Sequence, residues 1–436
     1  MDYIPFSGSD YSLSEWLDYL EKFNKKQINL GLQRVQAILN KLNLNQHSIK
    51  FIVGGTNGKG STCAMLEAIF LSAGYKVGLY TSPHFIKFNE RARINGEFAT
   101  DVDLIEQFLA INALCKKHFL TYFEFTTLSI LRLFAQLKLD IIILEVGLGG
   151  RLDAVNAINP DCSIITNIGI DHTKWLGSSR EEIGLEKSYI SRSGKPIICG
   201  DSNPPQSLLN NIRSINANLW LFEKNFNFSY NRQQWNYIGY EQKRNALPYP
   251  TLRGKHQLLN ATIALAAIES TKSLISIPQH SVRQGLIRAS IPGRFQILPT
   301  NNSSPTVVLD VAHNPHAAEI LAKNLDTMGY YPCTYAIFGM LNDKDVIGVI
   351  QKLGIYIDHW YCVNLPDPRG ISANILSNKV RQYLLNVNLF KNRTVQEVSF
   401  DPKETLSLLQ KNAFANDRIV IFGSFHTVAP ILPTII

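Results

Sequence analysis

The residues best suited to chemistry come in short polar clusters, each placed directly after a run of apolar residues. Gly54-Gly55-Thr56-Asn57-Gly58-Lys59-Gly60-Ser61 follows Phe51-Ile52-Val53 and precedes a stretch with Met65, Ile69 and Ala73 on one helical face. Glycines in such a loop let backbone N–H groups converge on phosphate oxygens, a helix N-terminus adds favourable potential, and a lysine neutralises the outer phosphates. The spacing departs from the general GxxxxGK(S/T) loop, because Gly60 separates Lys59 from Ser61 and Val53 stands where the first glycine would be. A plain glycine-rich turn is the competing reading, and the strand and helix flanks weigh against it.

Five further clusters follow the same rule. Thr81-Ser82-Pro83-His84 follows Val77-Gly78-Leu79-Tyr80; the Ser82 hydroxyl suits magnesium, which prefers oxygen donors, although Ser-Pro also marks ordinary turns. Glu145 ends Ile141-Ile142-Ile143-Leu144, where a carboxylate is costly unless it meets a cation or donors; Arg151 is the structural alternative to a metal. The following Gly147-Leu148-Gly149 is only half a dinucleotide fingerprint, and Gly150-Arg151-Leu152-Asp153 supplies no amphipathic helix to complete it. Asp171-His172 follows Ser163-Ile164-Ile165-Thr166, and His172 reads either as a metal ligand or as a hydrogen-bonded structural residue. Towards the C-terminus, Asp310-Val311-Ala312-His313-Asn314-Pro315-His316 and Gly423-Ser424-Phe425-His426 each come off an apolar run, and helix N-caps are the alternative reading of both.

Short apolar runs alternating with helical stretches are the pattern of β-α-β units around a mainly parallel sheet, whose ligands sit at the carboxyl ends of the strands. Ser12 and Glu15 form a capping box ahead of Leu13, Trp16, Leu17 and Leu20, and a second helix fits Leu32, Val35, Leu39 and Leu42. The polar stretch from Pro299 to Pro305 suggests a junction, after which Val307–Leu309, Tyr335–Phe338, Trp360–Val363 and Ile419–Phe422 read as strands of a smaller α/β domain. The expected division is residues 1–296 and 297–436.

With 436 residues, 45% hydrophobic and 18% charged, the chain is long enough for two or three domains with cores of their own and is not disordered. The six cysteines are scattered, without a CxxC pair, and read as reduced core residues. A net charge of +8 without five consecutive basic residues favours small anionic substrates over nucleic acid. Neither an export signal nor an apolar stretch of membrane-spanning length is present, so a cytoplasmic monomer without a membrane partner is expected.

Taken together, LGLQRV, GTNGKGS, TSPH, FNERARING, YFEFTT, LEVGLGGRLDAVN, DHTKWLG, PGRFQ, DVAHNPHAAE and GSFHTV resemble the bifunctional dihydrofolate synthase/folylpolyglutamate synthase family of the Mur ligase superfamily, from Leu30 to Val428. The resemblance implies a P-loop ATP-binding domain with a mainly parallel sheet, followed by a Rossmann-like domain. It implies ATP as co-substrate, Mg2+ as cofactor, and L-glutamate, dihydropteroate and reduced folates as substrates. Thr56, Asn57, Gly58, Lys59, Gly60, Ser61, Asn260, Arg294 and Asp310 would bind ATP, and Ser82, Glu145 and His172 would serve the metal. Leu30, Gly31, Leu32, the Thr121-Tyr122-Phe123-Glu124 segment, and Leu152, Asp153 and Ala154 would hold the pterin-bearing substrate. Lys59, His172, Lys187, Asp310 and His313 would be catalytic, with Lys187 matching a lysine carbamylated in many members. Where the family usually has EKAGI, this chain has Glu186-Lys187-Ser188-Tyr189-Ile190, which leaves the lysine but alters its surroundings.

Two other readings differ in what they predict. A Mur-type ligase would turn over ATP with a nucleotide-sugar acid and not with pteroates. A nucleotide-sensing switch would bind ATP without forming product, and would leave DVAHNPH and GSFHTV without a chemical task.

Overall fold

The computed structural model describes residues 11–23, 31–42, 47–115, 120–299, 304–388, 393–398 and 401–434; Leu30 lies outside them. The chain divides into two compact units. The first holds 1–168, 178–251 and 258–289, and the second 169–177, 252–257 and 290–436.

In the first unit, β1 (Ile49–Gly54), β2 (Val77–Tyr80), β3 (Ala92–Ile94), β4 (Glu97–Phe98), β5 (Ile141–Glu145), β6 (Cys162–Ile165), β7 (Pro196–Cys199) and β8 (Asn218–Leu221) form one sheet. Its order is β4-β3-β2-β5-β1-β6-β7-β8. Strands β2, β5, β1, β6, β7 and β8 run parallel, and only β3 and β4 pair antiparallel. The four apolar runs expected to be strands are β1, β2, β5 and β6, and they form the middle of the sheet. Helices cover both faces of a parallel sheet, which is why these runs are continuous and do not alternate with polar residues.

Register decides what these strands deliver. Val53 lies opposite Glu145 on one side and Ile164 on the other, so the loops leaving β1, β5 and β6 emerge at one edge. The helix Lys59–Ser72 leaves β1 directly, and its buried residues lie on all sides. Gly285 of the helix Gln279–Arg288 meets it so closely that a methyl group there would come within 2.5 Å of the Ile69 Cα. A separate antiparallel sheet of β9 (Asn227–Tyr230), β10 (Trp235–Ile238) and β11 (Lys243–Leu247) was not expected from the sequence.

The second unit contains β12 (Gln296–Ile297), β13 (Thr306–Leu309), β14 (Thr334–Phe338), β15 (His359–Val363), β16 (Thr394–Val398) and β17 (Arg418–Phe422), in the order β12-β13-β17-β14-β15-β16. All pairings are parallel except β12 with β13. Val308, Phe338, Trp360 and Phe422 anchor its core against Leu321, Ile350 and Leu376 from the helices. A division after residue 296 would cut β12 in two; the main run of this unit begins at Ser290, and it also recruits residues 169–177 and 252–257.

Candidate functional site

The glycine-rich loop joins β1 to a helix whose N-terminal residue is Lys59. Gly58 enters that helix at φ 83°, a left-handed conformation that a side chain would strain. Asn260, which is buried, fills the space above it: a methyl group on Gly58 would lie 2.6 Å from the Asn260 Oδ1. The Lys59 Nζ donates to the carbonyls of Gly55 at 3.0 Å and Thr56 at 3.3 Å. Gly60 and Ser61 occupy the first turn and are buried.

Residues that the sequence reading passed over hold this loop from β6. The Thr166 hydroxyl donates to the Asn57 carbonyl at 2.6 Å, and the Thr56 N–H donates to the Asn167 carbonyl at 3.0 Å. Their signal was present: Thr166-Asn167 is a polar pair ending an apolar run, the same cue used for the other clusters. Lys187 also reaches the loop. It is buried, and its Nζ donates to the Gly55 carbonyl at 3.1 Å.

The unusual neighbours of Lys187 are accommodated locally. The Ser188 hydroxyl donates to the Leu185 carbonyl and accepts from Asn211, both at 2.7 Å, while Arg151 stacks over the Tyr189 ring at 5.5 Å. Arg151 pairs with Glu186 at 2.7 Å, so the ion pair considered for Glu145 and Arg151 is not the one formed. Glu145 is buried at the end of β5, and one of its oxygens accepts the Ser82 N–H at 3.2 Å. Two residues assigned to a metal are thus adjacent, in the first unit.

A third group gathers around Gly147. The Phe123 ring lies so close that a methyl group on Gly147 would be 2.5 Å from its Cζ, and 3.3 Å from an Asp153 oxygen. Gly147 makes room for this packing and Gly149 takes a left-handed φ of 70°, which accounts for the GxG without a dinucleotide site. Asp153 is buried, and its carboxylate accepts the N–H groups of Leu148 at 2.9 Å and Val155 at 3.0 Å. Burial pushes its pKa up to about 6 in spite of those donors. Ala154 is buried beside it and Leu152 is half-buried. Arg91 lies over the Tyr122 ring at 5.6 Å. Thr121 and Glu124 form a capping box at the start of the helix Tyr122–Gln136. Gly31 and Leu32 lead into the helix Gln33–Leu39.

In the second unit, Asp171 is a hub. Its carboxylate accepts from the Lys344 Nζ at 2.8 Å and the Asn314 Nδ2 at 3.0 Å, with the His313 Nε2 at 3.4 Å. The His313 Nδ1 donates to the Val311 carbonyl at 2.8 Å, which fixes the ring's orientation. Burial alone would raise the Asp171 carboxyl, but the His313 hydrogen bond and the charges of His313, His172 and Lys344 hold it well below the usual carboxylate range. His172 adopts φ 52°, and its Nε2 lies 3.3 Å from the Lys344 Nζ. Lys344 was missed by the sequence reading, although it sits in the polar stretch Asn342-Asp343-Lys344-Asp345 just after β14.

Asp310 follows β13 directly, its oxygens accepting from the N–H groups of Phe295 at 2.9 Å and Ala312 at 2.8 Å. Loss of hydration lifts its pKa to about 6, and the nearby Arg294 opposes that rise. Arg294 itself lies over the Phe425 ring at 5.4 Å. The N-cap alternative holds for one residue of each C-terminal cluster: Asn314 accepts from the Ala317 N–H and Ser424 from the His426 N–H.

Among the described residues, no three His, Cys, Asp or Glu side chains gather closely enough to hold a metal unaided. No helix among them is long and apolar enough to cross a membrane. The chemistry on view is a glycine-rich loop with a lysine at a helix N-terminus, a buried carboxylate beside a serine, and a polar cluster at the strand ends of the second unit.

Residues 53–268 match the Mur ligase middle domain, and residues 293–425 match the Mur ligase, glutamate ligase domain. The chain is 43% identical over 421 residues to the dihydrofolate synthase/folylpolyglutamate synthase of Buchnera aphidicola subsp. Schizaphis graminum, covering 96% of each chain. Escherichia coli FolC in complex with DHPP and ADP superposes with a TM-score of 0.90 at 38% identity, over 98% of each chain. A bifunctional folylpolyglutamate synthase/dihydrofolate synthase with Mn, AMPPNP and L-glutamate bound superposes with a TM-score of 0.87 at 40% identity, again over 98% of each. The chain therefore belongs to the dihydrofolate synthase/folylpolyglutamate synthase family of Mur ligases, the ATP-dependent glutamate ligases of folate biosynthesis.

Proposed function

We infer that this chain joins L-glutamate both to dihydropteroate, giving dihydrofolate, and to reduced folates, giving folylpolyglutamates, with one nucleotide site serving both reactions. The observation that carries this reading is the phosphate loop at the carboxyl end of the central strand, its lysine at the helix N-terminus and its backbone fixed by Thr166 and Asn167.

A carboxylate is a poor electrophile, and amide formation from ions is uphill in water. The substrate carboxylate attacks the γ-phosphorus of ATP, ADP leaves, and an acyl phosphate forms. The neutral amine of glutamate then attacks the acyl carbon, and the tetrahedral adduct collapses to amide and inorganic phosphate. The protein's part is positioning and charge neutralisation, without a covalent enzyme intermediate. The loop N–H groups and Lys59 hold the phosphates and stabilise the charge spread over the transferring group.

Magnesium is the metal this reading favours. Glu145, buried at the strand end, and the Ser82 hydroxyl are hard oxygen donors of the kind magnesium prefers, an ion that takes its remaining ligands from phosphate and water. When bound, such an ion neutralises developing charge on the phosphoryl oxygens. His172 is assigned to the metal by motif, and Asn260, Arg294 and Asp310 to the nucleotide. His313 and Lys187 are assigned to catalysis, with Lys187 carbamylated. Phe123, Asp153 and Ala154 would meet the pterin side of the acceptor. Phe123 presents a flat apolar surface, and the shared packing of Phe123 and Asp153 on Gly147 supports that grouping. A cytoplasmic, monomeric enzyme is the setting this reading implies.

The direct test supplies purified protein with ATP, glutamate and dihydropteroate and follows ADP together with dihydrofolate. ADP release without dihydrofolate, or turnover only with a nucleotide-sugar acid, would overturn the assignment.

A further inference from the structure

Arg34 lies in the first turn of the helix Gln33–Leu39, where the helix dipole disfavours a cation. It is held there by Glu124: Nη2 donates to Oε1 at 2.7 Å and Nε to Oε2 at 3.2 Å. This is a two-pronged contact of the kind only an arginine makes with a carboxylate. The Glu124 side chain is 6% exposed, and its Oε2 also accepts the Thr121 N–H at 2.7 Å. Both oxygens are thus committed inside the protein, so Glu124 acts through its neighbours and not on a ligand. The same guanidinium flanks Gly31, where an added methyl group would lie 3.9 Å from each of its terminal nitrogens. Arg34 follows Gly31 by three positions, so its ion pair with Glu124 links the start of the helix Gln33–Leu39, into which Gly31 and Leu32 lead, to the turn that begins at Thr121.

Those are two of the segments assigned above to the pterin-bearing acceptor, and the inference rests on that assignment. We propose that Arg34 is a positioning residue for the acceptor: through Glu124 it locks Gly31 and Leu32 against the Thr121–Phe123 turn, and so sets affinity for the pteroate-type substrate but not for ATP. The nucleotide loop has its own supports in Thr166, Asn167 and Asn260, none of which touches this clamp through any hydrogen bond described above. Loss of the clamp should leave the loop in place while the acceptor's two binding segments come apart. A lysine at the same position keeps the charge but lacks the fork, so it should restore only part of the effect.

The test compares R34A, R34K, E124Q and the double variant R34A/E124Q in the full chain, measuring KM for dihydropteroate and for ATP together with thermal melting. Expected are a rise of about tenfold or more in KM for dihydropteroate in R34A, KM for ATP within about twofold of wild type, and partial recovery in R34K. E124Q should reproduce R34A, and the double variant should be no worse than either, because both changes open one contact. If R34A does not fold, R34K and E124Q carry the comparison below their melting temperatures. Equal rises in both KM values, or a fall in kcat with both KM values unchanged, would overturn the proposal. D153N separates the two possible failures. If it raises KM for dihydropteroate while R34A does not, the positioning role is wrong and the acceptor assignment stands; if neither variant moves it, the acceptor assignment itself is wrong.

Discussion

Asn167 grips Asn57 from both sides: its Oδ1 accepts the Asn57 N–H at 3.0 Å and its Nδ2 donates to the Asn57 carbonyl at 2.9 Å. This residue of the glycine-rich loop is thereby held by a carboxamide just past the next strand over, which fixes the direction of the loop's N–H groups. Asn167→Ala should raise KM for ATP by about tenfold with a smaller change in KM for glutamate, because a loop that must order itself on binding binds more weakly. Asn167→Asp, which keeps the acceptor and loses the donor, should fall between. Nucleotide titration of the two variants checks this; affinity equal to wild type in both would show that the loop needs no such support.

Lys59→Ala should abolish dihydrofolate formation and glutamate addition to tetrahydrofolate together, each by about a hundredfold or more in kcat. In the proposed mechanism both reactions transfer the γ-phosphate held by Lys59, so one lysine serves both. Paired assays of a single homogeneous preparation decide the matter. A variant that loses one activity and keeps the other would mean two distinct phosphate arrangements.

If Lys187 is carbamylated, carbon dioxide adds to its neutral amine with loss of a proton, turning a cation into an anionic oxygen donor. Lys187→Ala should then be inactive, and a small carboxylate such as acetate should restore part of the activity by placing oxygen in the vacated space. Labelling with 13C-bicarbonate gives an independent readout, since a carbamate carbon resonates apart from backbone carbonyls. An unlabelled lysine in the active enzyme would exclude the modification.

Asp153 should leave a mark on stability as a function of pH. Its native pKa of about 6 lies above the ordinary carboxyl value, so between roughly pH 4 and 6 the folded state binds a proton that the unfolded chain has released. The stability owed to that proton is fully present below about pH 4, falls as the pH rises towards 6, and is constant above. The total is on the order of 3 kcal/mol at most. Asp153→Asn removes the titration, so wild-type melting temperature minus variant melting temperature should become more negative from pH 4 to 6. A difference that does not vary with pH would show that Asp153 is ionised throughout.

What the sequence disclosed and what it hid follow from the same physics. Strands β1, β2, β5 and β6 are legible because each is a short apolar run leading into Gly54, Thr81, Glu145 or Thr166. Their neighbourhood is legible too, since parallel strands deliver their following loops to one edge. Strands β9 to β11 are not: Tyr230, Ile238 and Lys243 face solvent and the stretch is rich in Asn, Gln and Arg, so no clean alternation marks it. Two relationships could not be read at all. Arg151 could have met Glu145 or Glu186, and only the fold chooses Glu186. Asp171 and Lys344 lie 173 positions apart, and nothing local to either announces the other.

The central place of β1 has a consequence for how the protein fluctuates. It is hydrogen-bonded to β5 on one side and β6 on the other, and Phe51, Ile52 and Val53 are wholly buried. Its amide protons can reach solvent only when both ladders part, an opening that approaches global unfolding in cost. The edge strands β4 and β8 can fray at far less expense. The loop that carries Asn57 and Lys59 is therefore moored to the part of the sheet that opens last, so breathing at the sheet's margins need not loosen it.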